Sequence, residues 1–349
     1  MQAIDKTNAS VEEDARIPSP YSSSAATSPS GTPLYPGWVT ELVSPIQKFL
    51  TDRVDPRSLF VDLQEIAEGE SGSVFSARVV NRPAGGKELV AIKNVTLVPS
   101  GTPKLADLAR ELTVLQDVSH PHILCMDALY VDFDDDALWI RMELMDRSLA
   151  DVIAMIEEGV MLQEKHMALV AKDVLSALDY MRRLGIAHRD VRSDNLLISP
   201  EGLVRIADFS NAVRVPLLEP SRSDPAGVPY WQAPEVRSGT YNALKVDVWS
   251  LGATLWEVAE TVPPFSDATD LSELGDRWPP LSQSEVYSRS FHDFLHLCSE
   301  PSSSRPDPHD LFNTPFIRNA GNRSSFLEIL AQCKSIELSS RRQSTDTIS

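Results

Sequence analysis

The stretch Ile186-Ala187-His188-Arg189-Asp190-Val191-Arg192-Ser193-Asp194-Asn195-Leu196-Leu197-Ile198 gathers a carboxylate, a cation and an amide, then turns apolar and strand-like. Further on, Ile206-Ala207-Asp208-Phe209 places a second carboxylate at the end of another short apolar run. Asp190 can accept the proton of an attacking hydroxyl. Asn195 and Asp208 supply hard oxygens of the kind that hold magnesium on a nucleotide. Phosphoryl transfer needs this division of labour, because the protein mainly positions groups and neutralises charge.

The elements that must hold these groups can be read from periodicity. From Phe60 the pattern is strand-like, and Leu63–Phe75 reads as strand, glycine turn, strand, with Gly69 and Gly72 able to bring backbone close to phosphates. Val90-Ala91-Ile92-Lys93 is a strand ending in a lysine. Residues 104–118 are amphipathic with helical spacing and carry Glu111, and 137–146 reads as a strand running into a linker. Helices are expected over 148–158 and 164–183. Trp38, Val39, Leu42, Val43, Ile46, Phe49 and Leu50 also recur at helical spacing, interrupted by Pro45, which kinks a helix or starts a fresh one. Ser325 and Glu328 have capping-box spacing and open a short terminal helix through Leu330, Cys333 and Ile336.

At 349 residues the chain can bury a large core. Its net charge of −18 argues against a nucleic-acid partner, since nothing neutralises phosphates wholesale. Cys125, Cys298 and Cys333 are odd in number and widely spaced, so neither a disulfide framework nor a zinc site is expected, and a reducing compartment is the default. No apolar run reaches the ~20 residues of a membrane span, and the N-terminus shows no apolar signal region. A soluble, cytoplasmic protein is the expectation. The Pro- and Ser-rich residues 1–36 read as a disordered tail.

In order along the chain, these segments resemble the motifs of a eukaryotic protein kinase. The glycine turn, Val90-Ala91-Ile92-Lys93, the 188–195 loop and Asp208-Phe209 are joined by Ala226-Gly227-Val228-Pro229-Tyr230-Trp231-Gln232-Ala233-Pro234-Glu235, Val246-Asp247-Val248-Trp249 and Arg305. The later segments are similar to Ste20/p21-activated kinases, whereas Met142-Glu143-Leu144-Met145 resembles the hinge of MAP kinase kinases. The resemblance implies an α+β, bilobal fold: a small antiparallel sheet with one main helix, then a larger, mostly helical lobe. It divides the chain into a tail (1–36), a flanking segment (37–56), a kinase domain (57–145 and 146–318) and a C-terminal extension (319–349). It implies ATP and Mg²⁺ as cofactors, with Asp190, Arg192 and Lys93 catalytic and Asn195 and Asp208 on the metal. The nucleotide site would comprise Ala67, Gly69, Gly72, Val74, Ala91, Lys93 paired with Glu111, Met142, Glu143, Met145 and Leu197. Asp247 would brace the catalytic loop, and Arg305 would pair with Glu235. Protein substrates and signalling kinases upstream or downstream are the implied partners. Nothing in the sequence specifies an oligomeric state.

Five positions depart from that pattern. Ala67 stands in place of the first glycine of the phosphate loop, and Arg192 in place of the usual lysine. Val228 replaces a threonine, and Ser210 replaces the glycine after Asp208-Phe209. Asp224 occupies the place of a phosphorylatable residue, where a carboxylate can pair with Arg189 as phosphate does and leave Ser221 and Ser223 as the remaining acceptors. No essential carboxylate is lost, so a working Ser/Thr phosphotransferase is the primary reading. The alternative is a pseudokinase, an ATP-binding or non-catalytic scaffold.

Overall fold

Residues 38–51, 54–69, 72–80, 85–97 and 103–346 are described by the computed structural model of the chain; the tail 1–36 and the turn at Glu70-Ser71 lie outside them. Residues of period two build β1 (Phe60–Gly69), β2 (Gly72–Val79), β3 (Leu89–Thr96), β4 (Met126–Asp132) and β5 (Ala137–Glu143), an antiparallel sheet in the order β1-β2-β3-β5-β4. One face carries Phe60, Ala77, Val90, Ile92, Tyr130 and Trp139, with the Phe60 and Tyr130 rings edge to face at 5.6 Å. On the other face the register sets Ala67 opposite Val74, Val74 opposite Lys93, Lys93 opposite Ile140 and Ala91 opposite Met142. Directly opposed residues share a face, so five of the expected nucleotide-site residues lie together on it.

Helix α2 (Pro103–Leu115) buries Leu105, Leu108, Leu112 and Leu115 at helical spacing. It stops short of the expected Val118 because Asp117 turns left-handed, with φ +63°. The flanking segment forms α1 (Trp38–Val43) and a 3-10 helix (Ser44–Phe49) with Pro45 in its first turn. Val39, Val43, Ile46 and Phe49 bury with the leucines of α2, and Thr51 N donates to Leu129 O at 2.8 Å along the β4 edge.

The larger lobe is helical. Helix α3 (Leu149–Ala154) starts at a Ser148–Asp151 capping box and ends before the expected Glu158. Its last turn tightens into i→i−3 bonds, Met155 N to Val152 O and Ile156 N to Ile153 O. Helix α4 (Glu164–Arg183) keeps its expected bounds and packs against α6 (Ala243–Glu260), which follows the short α5 (Pro234–Ser238). Fourteen residues of α6 are buried, as befits a helix apolar on nearly all sides. Helices α7 (Arg289–Cys298), α8 (Pro308–Leu311) and α9 (Pro315–Arg318) close the far side.

The terminal helix differs from expectation. It is α10 (Arg323–Asp346), 24 residues long, and its cap is Asn322, whose Oδ1 accepts from Ser325 N at 2.9 Å. Ser325 is therefore inside the first turn, where its own N–H needs a partner that Asn322 supplies. Phe326, Ile329, Leu330 and Cys333 bury at 3–4 spacing. Among the described residues no helix is long and apolar enough to cross a membrane, and the three cysteines are free. The architecture is the bilobal α+β fold of a protein kinase.

Candidate active site

Short strands fix the loop bearing Asp190. They are β6 (Arg147–Ser148), β7 (Ile186–Ala187), β8 (Leu196–Ile198), β9 (Val204–Ile206) and β10 (Val213–Arg214). Strand β7 pairs with β10, while β8 lies between β6 and β9. The loop between β7 and β8 is pinned from beneath by α6. Asp247 Oδ2 accepts from His188 N at 2.8 Å and Oδ1 from Arg189 N at 2.7 Å. Burial raises the Asp247 carboxyl, against these donors and the charges of His188 and Arg189. Arg189 needs the brace because its φ is +66°, a conformation costly for a non-glycine residue.

Asp190 is buried beside Asn195, whose Nδ2 donates to Asp190 O at 2.9 Å and to Asp190 Oδ2 at 3.2 Å. Asn211, which the sequence motifs did not single out, donates from Nδ2 to the same Oδ2 at 3.3 Å. Arg192 Nε stands 3.6 Å from Asp190 Oδ1. The guanidinium is also ion-paired with Asp194 and lies 5.9 Å from the Trp231 ring centroid. The charge expected to steady a phosphoryl group is thus partly engaged within the loop.

Asp208 follows β9 in the left-handed region, φ +60°, and Ser210 N donates to its Oδ1 at 3.2 Å. The carboxyl is open to solvent on one side, and desolvation by the surrounding chain works to raise it. The Ser210 hydroxyl and N–H and the charge of Lys93 outweigh that, so it lies below its ordinary value. A glycine there would supply the N–H alone, so the Ser210 hydroxyl is the added donor. Phe209 is buried edge-on against His188, ring centroids 4.8 Å apart.

The expected pairing of Lys93 with Glu111 is not closed. Glu111 Oε1 instead accepts from Phe209 N at 3.1 Å, and no ion pair joins it to Lys93 among the described residues. The two still feel each other: burial pushes the Glu111 carboxyl up to about 7, Lys93 acts against the shift and Asp208 with it. A carboxyl that burial keeps partly protonated attracts the lysine weakly, while the Phe209 N–H holds it whether charged or not.

Val74, Ala91 and Met142 share the Lys93 face of the sheet, and Ala67 lies opposite Val74. Glu143, next along β5, therefore points to the other face, where it ion-pairs with Lys87 at 2.5 Å and Arg205 at 2.8 Å. Only its backbone remains for a nucleotide. Met145 lies half-buried in the linker, and Leu197 is half-buried between Leu196 and Ile198, both fully buried. Gly69 and Gly72 pair at the end of the β1–β2 ladder. Gly72 is required by the sheet itself: its φ is +126°, and a Cβ there would lie 2.1 Å from Asn94 O.

The donors suit Mg²⁺·ATP. Asp208 is held ionised, and Asn195 commits its amide nitrogen to Asp190 while its Oδ1 takes no hydrogen bond among the described residues. No group of three His, Cys, Asp or Glu forms a metal cage among the described residues. Two hard oxygens match magnesium, which keeps waters and binds substrate phosphates alongside one or two protein ligands.

The segment after β10 approaches this centre from the other side. Asp224 Oδ2 accepts from Arg189 Nη1 at 2.8 Å, its Oδ1 from Arg222 Nε at 2.6 Å, and its backbone O from the Tyr241 hydroxyl at 2.8 Å. The contacts from Arg222 and Arg189 outweigh partial burial and hold the Asp224 carboxyl far below its ordinary range. Gly227, φ +79°, passes so close to the catalytic loop that a Cβ would meet Arg189 O at 2.3 Å. The expected clasp between Arg305 and Glu235 forms in both arms, at 2.6 and 3.1 Å, with the Arg305 side chain wholly buried.

Comparison with known proteins agrees with this geometry. The family model described as "Protein kinase domain" matches residues 60–317. The chain is similar to the serine/threonine-protein kinase pakC of Dictyostelium discoideum, 32% identical over 82% of this chain and 60% of that one. It is also similar to the serine/threonine-protein kinase Tao of Drosophila melanogaster, 32% identical over 82% of this chain and 27% of that one. A third relative is the serine/threonine-protein kinase STE20 of Saccharomyces cerevisiae, 33% identical over 80% of this chain and 29% of that one. The chain thus spans at most 60% of the length of these relatives. With the motif residues assembled between two lobes and the family model covering most of the sequence, the chain belongs to the protein kinase domain family, among relatives of the Ste20 type.

Proposed function

We propose that this chain transfers the γ-phosphate of ATP to Ser or Thr hydroxyls of protein substrates, as a cytoplasmic signalling enzyme whose working unit is residues 57–318. The observation that carries the reading is convergence. Lys93 from β3, Glu111 from α2 and Asp208 after β9 act on one another, Asn195 holds Asp190 in the loop after β7, and Ala207 N, next to Asp208, donates to Asn195 O at 2.8 Å. Lys93, uncommitted to any ion pair among the described residues, would bind the α- and β-phosphates. Asn195 and Asp208 would hold Mg²⁺, whose contribution when bound is to neutralise charge on the phosphates. Asp190 would orient the hydroxyl and accept its proton, with Arg192 beside it as a cation that its bond to Asp194 restrains.

Incubating the purified chain with labelled ATP, Mg²⁺ and a generic basic protein tests this directly. Transfer to Ser and Thr is expected from the parent, and loss of at least about a hundredfold from Asp190→Asn. Equal incorporation by parent and mutant would overturn the assignment.

A further inference from the structure

The two oxygens of the Asp190 carboxylate have different surroundings. Oδ2 accepts from Asn195 Nδ2 at 3.2 Å and from Asn211 Nδ2 at 3.3 Å. Oδ1 is buried and accepts from nothing among the described residues. Arg192 Nε stands 3.6 Å from it, beyond hydrogen-bond reach, and is likewise without a hydrogen-bond partner. The backbone at Gly227 also passes close, where a Cβ would lie 3.2 Å from Oδ1. Val228, next along, carries no hydroxyl to offer it.

Asn195 belongs to the same loop as Asp190, so its amide moves with the carboxylate it holds. Asn211 does not. It lies beyond Asp208, and its position is set from its own backbone, where Asn211 O accepts from Arg189 Nε at 2.8 Å. Ala212 N donates to Phe209 O at 3.0 Å and closes the turn around it. Two donors from separate segments on one oxygen restrict rotation of the carboxylate about its Cβ–Cγ bond, which one donor from the same loop does less well. A carboxylate has about four lone-pair sites, and the two on Oδ2 are spent.

We infer that Asn211 is a positioning residue for phosphoryl transfer: by holding Asp190 Oδ2 from the segment after Asp208, it fixes the plane of the carboxylate that takes the substrate's proton. The inference rests on the phosphotransferase reading above. In the step itself the substrate hydroxyl oxygen bonds to the γ-phosphorus, and the bond from that phosphorus to the β,γ-bridging oxygen breaks. Its electron pair leaves on ADP, and the hydroxyl proton passes to the Asp190 carboxylate.

The test uses the full chain, with Asn211→Leu, close in size without a donor, and Asn211→Asp, equal in shape with a charge in place of the donor. Asp190→Asn runs beside them. The expected result is a fall in kcat of about tenfold for Asn211→Leu and more for Asn211→Asp, with KM for Mg·ATP within about twofold of the parent. Unchanged kcat in both, or kcat falling only in step with thermal stability, would overturn the positioning role. If the parent transfers no phosphate, the functional reading fails by itself. Crystal structures of the parent and Asn211→Leu then decide the point independently: a turned or split Asp190 carboxylate in the variant upholds it, and an unmoved one refutes it.

Discussion

Glu257 lies on α6 at 6% exposure and accepts from Ser193 Oγ at 2.6 Å and from Trp231 Nε1 at 2.9 Å. It thereby ties the catalytic loop to the segment that carries the ring beside Arg192. Burial pushes its carboxyl from 4.5 up to about 7; Ser193, Trp231 and Arg192 act against the shift and Asp194 with it. Glu111 shifts the same way for the same leading reason. Between about pH 4.5 and 7 the folded chain keeps protons that the unfolded chain has released, so stability falls as pH rises through that window. A glutamine at 257 can keep both contacts, donating to the Ser193 oxygen and accepting from the indole. Glu257→Gln is therefore expected to match the parent near pH 5 and to exceed it by up to roughly 3 kcal/mol near pH 8. Urea unfolding at the two pH values checks this, and an unchanged pH slope in the variant would contradict it. Neither Glu257 nor Asn211 was legible in the sequence. Each matters through one partner far along the chain, and no local pattern records such a meeting. Lys93 and Glu111 were legible as types and positions, but not the Phe209 N–H that draws Glu111 away.

The segment from Val213 to Glu235 is where an element sets the site. Asp224 ties Arg189 and Arg222 together, and the Arg189 guanidinium reaches from Asp224 to Asn211 O. Asp224→Ala is expected to loosen residues 221–227, with faster cleavage there by protease and a several-fold fall in transfer. Arg189 retains Tyr241 and Asn211, so activity should drop without vanishing. Cleavage rate and activity both equal to the parent would dismiss the role. Because the Asp224 carboxyl is depressed, its contribution is present above the ordinary carboxylate range and is lost on acidification below about pH 4. This contact was readable beforehand, since the motif spacing set both partners. Element ends were less so: α2 stops at a left-handed Asp117 and α10 starts at the Asn322 cap, and both outcomes depend on backbone angles that side-chain periodicity does not encode.

Across the molecule, α10 completes the larger lobe. Arg323 reaches Asp173 in two arms, at 2.6 and 2.9 Å, and that same buried carboxylate accepts from Val204 N at 3.0 Å. Phe326 and Cys333 are fully buried in the common core. Farther along, Glu337 accepts from Arg147 at 3.0 Å and Lys334 pairs with Asp146 at 2.5 Å, just past the strand that joins the lobes. Phe326→Ala is expected to cost about 3–5 kcal/mol, as truncating a buried aromatic does. An unfolding midpoint unaltered by that change would mean α10 is dispensable. The apolar period of this helix was visible in the sequence, but its length and its grip on residues 146 and 147 were not, because those ion pairs join segments remote in the chain. The arrangement bears on synthesis as well as on stability. While a ribosome makes this protein, the face of the large lobe that Phe326, Ile329, Leu330 and Cys333 will cover stays bare until they emerge. For that interval the nascent chain presents a greasy flank of the kind holdase chaperones shield.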